Sequence, residues 1–287
     1  SRQFYSCPGA DGIGSQKKCP MMLNSRIVPL AISLVVWLSG APAFALTALE
    51  IMQRVDARDD GDNMTARQEM ILIDKNNHRR VREMTIFAKD EGRDTRRLLF
   101  FLSPPNVKHT GFLTYDYNSG DKDDDQWLYL PALRKTKRIA SSDKSAAFMG
   151  SDFSYADMTR RLISEWKFKI LKEDEVRSKP VWLIEALPAS DIIRKRYGYN
   201  KSVIFVRQDL FMVVRAVHWV SAGGKLKYTD MKTIEKIDGI WTATEIDVKT
   251  TKARKTLHRT ILRFHDVKYN QMVNPNLFTV RRLEKGP

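Results

Sequence analysis

Asp121, Asp123 and Asp125 stand at alternate positions, the spacing with which the first half of a calcium loop presents its oxygens. The pattern then fails. The position that needs a turn-forming glycine is Gln126, and the one that needs a closing bidentate glutamate is Ala132. The acidic run therefore reads as the solvated tip of a hairpin. The 5 histidines, His78, His109, His218, His258 and His265, show no spacing that converges imidazoles on a metal. His258 and His265 fall on one strand at odd separation and so face opposite sides. Asp152 and Asp157 are acidic enough for a hydrolase, but no nucleophile, base and orienting group accompany them. The chain lacks G-x-S-x-G, H-E-x-x-H and a phosphate-binding loop. Gly12-Ile-Gly14 follows no strand and lacks a third glycine. These residues point away from catalysis and call for no cofactor and no metal.

Two other groups can recognise a partner. Arg134-Lys-Thr-Lys-Arg138 places a basic cluster inside a strand, where alternation sends Arg134 and Arg138 to one face. Lysines on a strand edge also deter unwanted pairing; a contact with a headgroup or protein partner through Arg134 and Arg138 is the functional reading. The second group is apolar: Phe100, Leu102, Phe112, Trp127, Tyr129, Phe148, Met149, Phe153 and Tyr155. Such residues usually fill a core, but a curved sheet can enclose a cavity instead. Phe148 and Met149 lie in the loop Ser141–Ser154, where apolar side chains are costly unless they cover something. The loop reads as a lid.

The elements that position these residues are mostly strands. Thr47-Ala-Leu-Glu50 is a capping box that opens a helix to about Arg58. Alternation and turn residues then predict about eleven strands between Met64 and Tyr269, with Asp238-Gly239 as the strongest hairpin signal. A short helix is expected over Tyr155–Leu162 and a helical turn at Asn274–Phe278. Strands do not alternate with long helices, so the expected architecture is mainly β, one curved antiparallel sheet with helices on one side.

The N-terminus decides the compartment. Arg26, the apolar run Ile27–Leu38 and Ala43-Phe-Ala45 follow the order of a cleaved export signal; the run is shorter than the about 20 residues of a spanning helix. Expected boundaries are an upstream extension over 1–20, a signal over 21–45 cleaved after Ala45, and one domain over 46–287 in the periplasm. Both cysteines, Cys7 and Cys19, precede that domain, which excludes disulfide frameworks, thiol catalysis and cysteine-ligated zinc within it. The formal net charge of +15 favours anionic partners, which outside the cytoplasm means lipid headgroups or acidic proteins, and not nucleic acid.

The segments Trp127-Leu-Tyr-Leu-Pro131-Ala-Leu-Arg134-Lys-Thr-Lys-Arg138-Ile139, Phe148-Met-Gly-Ser-Asp-Phe-Ser-Tyr155-Ala-Asp157 and Phe101-Leu-Ser-Pro104-Pro105-Asn-Val-Lys108-His-Thr110-Gly111 resemble outer-membrane lipoprotein-sorting-like proteins of the LolA/LolB-like superfamily. The resemblance implies an incomplete antiparallel β-barrel closed by short helices over a hydrophobic cavity for acyl chains. It implies a lipid or acylated lipoprotein as cargo, a large inner-membrane RND-type transporter as partner, and transient contact with membrane surfaces. The alternative is a periplasmic adaptor subunit of an export complex that carries nothing.

Overall fold

The computed structural model describes residues 46–287; the expected upstream extension, export signal and cleavage point lie outside the described residues. The first helix, α1 (Ala48–Asp56), begins at the expected capping box: Glu50 N–H donates to Thr47 Oγ1 at 3.2 Å, and Thr47 N–H donates back to Glu50 Oε2 at 2.8 Å. Its buried residues, Ala48 and Ile51, pack on Ile184, Ile204, Val206 and Ala216. Full burial of a side chain such as Ile51 contributes about 1.5–3 kcal/mol, which fixes the helix on the sheet.

Thirteen strands follow: β1 (Asn63–Asp74), β2 (Arg79–Glu91), β3 (Asp94–Ser103), β4 (Gly111–Asp116), β5 (Asp125–Leu130), β6 (Lys135–Arg138), β7 (Trp166–Val176), β8 (Lys179–Pro188), β9 (Tyr199–Arg207), β10 (Met212–Val220), β11 (Lys225–Ile237), β12 (Ile240–Lys252) and β13 (Lys255–Tyr269). The order across the sheet is β6-β5-β4-β3-β2-β1-β13-β12-β11-β10-β9-β8-β7, antiparallel throughout. The mainly β, curved, unclosed sheet agrees with the sequence expectation, but the helices do not keep to one side, since α1 packs on one face and the C-terminal segment on the other. The strand count is higher in part because the residues around the basic cluster Arg134–Arg138 form two strands, β5 and β6, and not one. Pro131–Leu133 forms a 3₁₀ turn, and Arg134 takes a left-handed conformation with φ 47°. Arg134 therefore lies outside β6, and the expected strand alternation from Arg134 to Arg138 does not hold.

The chain leaves one sheet edge at β6 and returns at the other edge with β7. Between them residues 139–165 run as a strap over one face of the sheet, which we term inner. The strap holds short 3₁₀ turns, including Ala156–Met158 where a longer helix was expected. On the same face, α1 covers the β7–β10 half.

The other face carries its own small core. Leu98, Phe100 and Leu113 pack on Val273, Phe278 and Leu283, with Tyr115, Trp127 and Tyr129 around them. The covering segment ends in α3 (Val280–Lys285), capped by Thr279. A further helix, α2 (Asp191–Tyr197), starts at Ser190 and stops at Gly198 with φ 71°. At Gly111 an added Cβ would stand 2.5 Å from Leu283 Cδ1 and 2.9 Å from Phe100 Cε1. Gly111→Ala is therefore expected to destabilise by about 1–3 kcal/mol through overpacking, read from the urea unfolding midpoint; an unchanged midpoint would show that α3 yields freely.

Candidate functional site

Alternation places Leu99, Phe101 and Phe112 on the inner face, with Met70, Leu72, Met84, Ile86, Leu128 and Leu262. The strap drops Phe148 into this layer. Its ring centroid lies 4.9 Å from that of Phe112 and meets Tyr155 edge-on at 5.6 Å, a geometry that aromatic quadrupoles favour. Phe148 is fully buried, and Met149, Phe153, Tyr155 and Met158 pack beside it.

Polar contacts pin the strap. Lys144, 1% exposed, donates from Nζ to Asp123 Oδ1 at 2.6 Å and to the Asp124 carbonyl at 2.9 Å. Ser141 donates to Asp123 and Arg138 to Asp125. Asp121 and Lys122 at the tip stay exposed, as expected, while Asp123 and Asp125 beside them serve as anchors. Asp152 accepts from Thr250 Oγ1 at 2.5 Å and Thr260 Oγ1 at 2.7 Å, and lies 2.7 Å from His258 Nδ1. Arg82 Nη1 donates to the Met149 carbonyl at 2.7 Å and Gln126 Nε2 to the Tyr155 carbonyl at 2.8 Å. Arg160 N–H donates to Asp116 Oδ2 at 2.7 Å and its Nε to Asp56 Oδ1 at 2.9 Å. The expected lid is a strap held from several strands.

Between strap, α1 and sheet, space remains. One compartment of about 390 Å³ is walled by Met52 and Val55 of α1 and by Phe168, Ile204, Val213, Ala216 and Val248 of the strands. A second, of about 510 Å³, is walled by Met64, Ile86, Leu99, Phe112, Ile246, Leu262 and Phe264. Arg58, Asp60, Phe153, Asp157 and Arg160 line both, so the two spaces meet at the strap. Each lies in the size range of small-ligand sites, about 300–1,000 Å³ and mostly apolar.

At the meeting point lies a buried ionic cluster. Asp157 accepts from Lys227 Nζ at 3.0 Å, Arg161 Nη2 at 3.0 Å, Tyr199 OH at 2.8 Å and Ser154 N–H at 2.9 Å. Burial alone would raise the Asp157 carboxyl, but Lys227 and Arg161 outweigh it and hold it well below the usual carboxylate range. Burial pushes the Tyr199 hydroxyl up to about 12. His218 stacks on Tyr199 with ring centroids 4.6 Å apart, and its Nδ1 lies 2.7 Å from Ser202 Oγ. Burial, then Arg161, push its pKa well below the ordinary 6.5, so the ring is neutral. The oxygens of Asp152 and Asp157 are all engaged, which leaves neither free to serve as the hydrolytic base considered from sequence.

The sequence candidates divide by face. Phe112 and Phe153 line the compartments, while Phe148, Met149 and Tyr155 form the packed wall beside them. Phe100, Trp127 and Tyr129 sit on the opposite face beneath the C-terminal segment, and Leu102 lies at the irregularity between the Glu83–Ser103 and Met84–Phe101 pairs, lining neither space. The reason is parity: Leu98-Leu-Phe-Phe101 is buried on both faces, so the apolar run carries no period-two signal of which face is inner. Arg138 is committed in part to Asp125. Lys227 and Arg161 were missed: Leu226 and Tyr228 flank Lys227 and make it read as solvent-facing. His218 did carry a signal, since it continues the alternation of buried Met212, Val214 and Ala216.

The profile of a family of uncharacterized proteins matches residues 93–285. Among solved structures, a Vibrio parahaemolyticus domain provisionally described as an outer membrane lipoprotein-sorting protein is 30% identical, with a TM-score of 0.74, covering 83% of this chain and 98% of that one. A DUF1329 family protein from Desulfovibrio piger is 26% identical with a TM-score of 0.75, covering 82% and 97%. A LolA superfamily protein from Nitrosomonas europaea shares the fold, at 17% identity and a TM-score of 0.62, covering 83% and 99%. No curated protein matches the sequence.

Proposed function

The chain belongs to the DUF1329 family of outer-membrane lipoprotein-sorting-like proteins, and from that premise we propose that it is a periplasmic carrier for the acyl chains of a lipid or lipoprotein. The observation that carries this reading is the unfilled apolar space between strap, α1 and sheet. Interiors are otherwise close-packed, and each methylene shielded from water contributes about 0.8 kcal/mol to binding. In this reading the chains lie against Met52, Val55, Ile204 and Val248 and reach Phe112 past Phe153. Phe148, Met149 and Tyr155 hold the wall without needing to move.

Exchange with a membrane or an RND-type exporter would use the β5–β6 hairpin. Leu133 is 68% exposed at its tip, beside Arg134, Lys135 and Lys137, also exposed. An exposed leucine ringed by cations suits an anionic lipid surface. Arg134 makes the headgroup contact in this scheme, and Arg138 lends its remaining charge.

Native mass spectrometry of the protein purified from its own envelope tests the proposal. The carrier reading expects bound lipid; a clean apo mass would leave the adaptor reading in its place. A filling variant sharpens the test. Ala216, 4% exposed, lines the smaller compartment. Ala216→Trp is expected to expel co-purified lipid by placing an indole in that space, at an overpacking cost of about 1–3 kcal/mol. Unchanged lipid content in a folded variant would place the chains elsewhere.

A further inference from the structure

The smaller compartment is apolar along α1 and the strands and carries a positive excess where it meets the strap. Its lining includes Arg58, Arg160, Arg161 and Lys227 against Asp56, Asp60 and Asp157. Within the buried cluster the imbalance is plain: Arg161 and Lys227 share the single carboxylate of Asp157, and His218 is neutral. Their side chains have unspent donors. Among the described residues, Arg161 makes one hydrogen bond, to Asp157, from a guanidinium that carries five N–H groups. Lys227 uses two of its three, on Asp157 and Tyr199.

The guanidinium is also held in place. Its carbon stands 5.5 Å from the ring centroids of Trp166 and Tyr197 and 5.2 Å from that of Tyr199. These faces restrain its orientation. Arg161 keeps 30% of its side-chain surface accessible and lines the compartment. Beside it, Trp166 Nε1 is buried with no acceptor among the described residues, an arrangement that costs free energy unless a ligand or water supplies one. An uncompensated buried cation is costly as well, and an anion entering the compartment would relieve it.

We propose that this compartment binds the head of an acidic amphiphile, with its carboxylate or phosphate oxygens on Arg161 and Lys227 and its chain along Met52, Val55, Phe168 and Val248. The inference rests on the carrier reading and narrows it to a ligand class.

The test uses delipidated protein and three radiolabelled probes of equal chain length: palmitate, palmitoyl-lysophosphatidylglycerol and hexadecanol. At least one acidic probe is expected to bind about ten-fold more tightly than the alcohol, the scale of one or two hydrogen bonds to a charged group. Preference for palmitate alone identifies a free fatty acid; preference for both acids identifies a phosphate head as an equal occupant. Arg161→Met should erase the preference while leaving hexadecanol binding unchanged, and Arg161→Lys should retain most of it. Unchanged alcohol binding certifies that the pocket of the methionine variant is intact. Equal binding of acids and alcohol by the parent, or a preference that survives Arg161→Met, overturns the headgroup site and leaves the carrier reading standing. Failure of all three probes to bind removes the carrier reading itself.

Discussion

Replacing Asp157 by asparagine is expected to destabilise the protein by about 3–5 kcal/mol, the cost of leaving a buried ion pair without one partner. Asp157 is the one carboxylate bonded to both Lys227 and Arg161, and it also accepts from Tyr199 and the Ser154 backbone. Asparagine keeps the shape but strands two cations in a desolvated setting. Lys227→Met should cost less, because Asp157 retains Arg161. The double variant Asp157→Asn, Lys227→Met should lose less than the two single losses combined, since residues of one network do not add. Urea unfolding of the four proteins gives the coupling. Additive losses would mean that Lys227 and Asp157 do not interact in solution.

The same cluster gives stability a definite pH dependence. The folded Asp157 pKa is depressed, so its contribution is present above the unfolded carboxylate value, about 3.9, and is lost as pH falls below it. His218 acts in the same direction at higher pH. Its folded pKa lies well below 6.5, so between those values the unfolded chain binds a proton that the folded chain does not. Stability therefore falls on acidification below pH 6.5, by up to about 1.4 kcal/mol per pH unit from this group. His218→Asn should flatten the curve between about pH 6.5 and 5. A slope that persists in the variant would assign it elsewhere.

Phe148→Ala is expected to cost about 3–5 kcal/mol, the range for deleting a buried aromatic ring and leaving its cavity. Phe148 is fully enclosed by Phe101, Phe112 and Tyr155, and the strap around it is tied down at Asp152 and Lys144. A loss below about 1 kcal/mol would mean the strap repacks freely and would restore a moving lid. Phe148→Asp would bury a charge in this layer and so test folding before lipid retention. Phe153 is the better probe of cargo, since it stands where the two compartments meet. Phe153→Ala should alter lipid content with a smaller loss in the unfolding midpoint than Phe148→Ala.

Local chemistry written in the sequence was sufficient for most of the strands, for the capping box at Thr47 and for the antiparallel class. Hairpin turns and period-two alternation act over a few residues, so they survive without any knowledge of neighbours. The motif segments around Trp127 and Phe148 likewise pointed to the family. The tertiary structure alone decided which side of each strand is inner. Phe100 and Phe101 are adjacent and both buried, and only the docking of Val273–Leu283 on one face assigns them to different cores. It also decided the cluster around Asp157, whose members come from the strap, β9, β10 and β11 and whose bonds span up to 70 residues. Alternation fixes that successive side chains oppose one another, not which of them meets water. A lysine flanked by apolar neighbours reads as exposed until the carboxylate that neutralises it arrives from a distant segment.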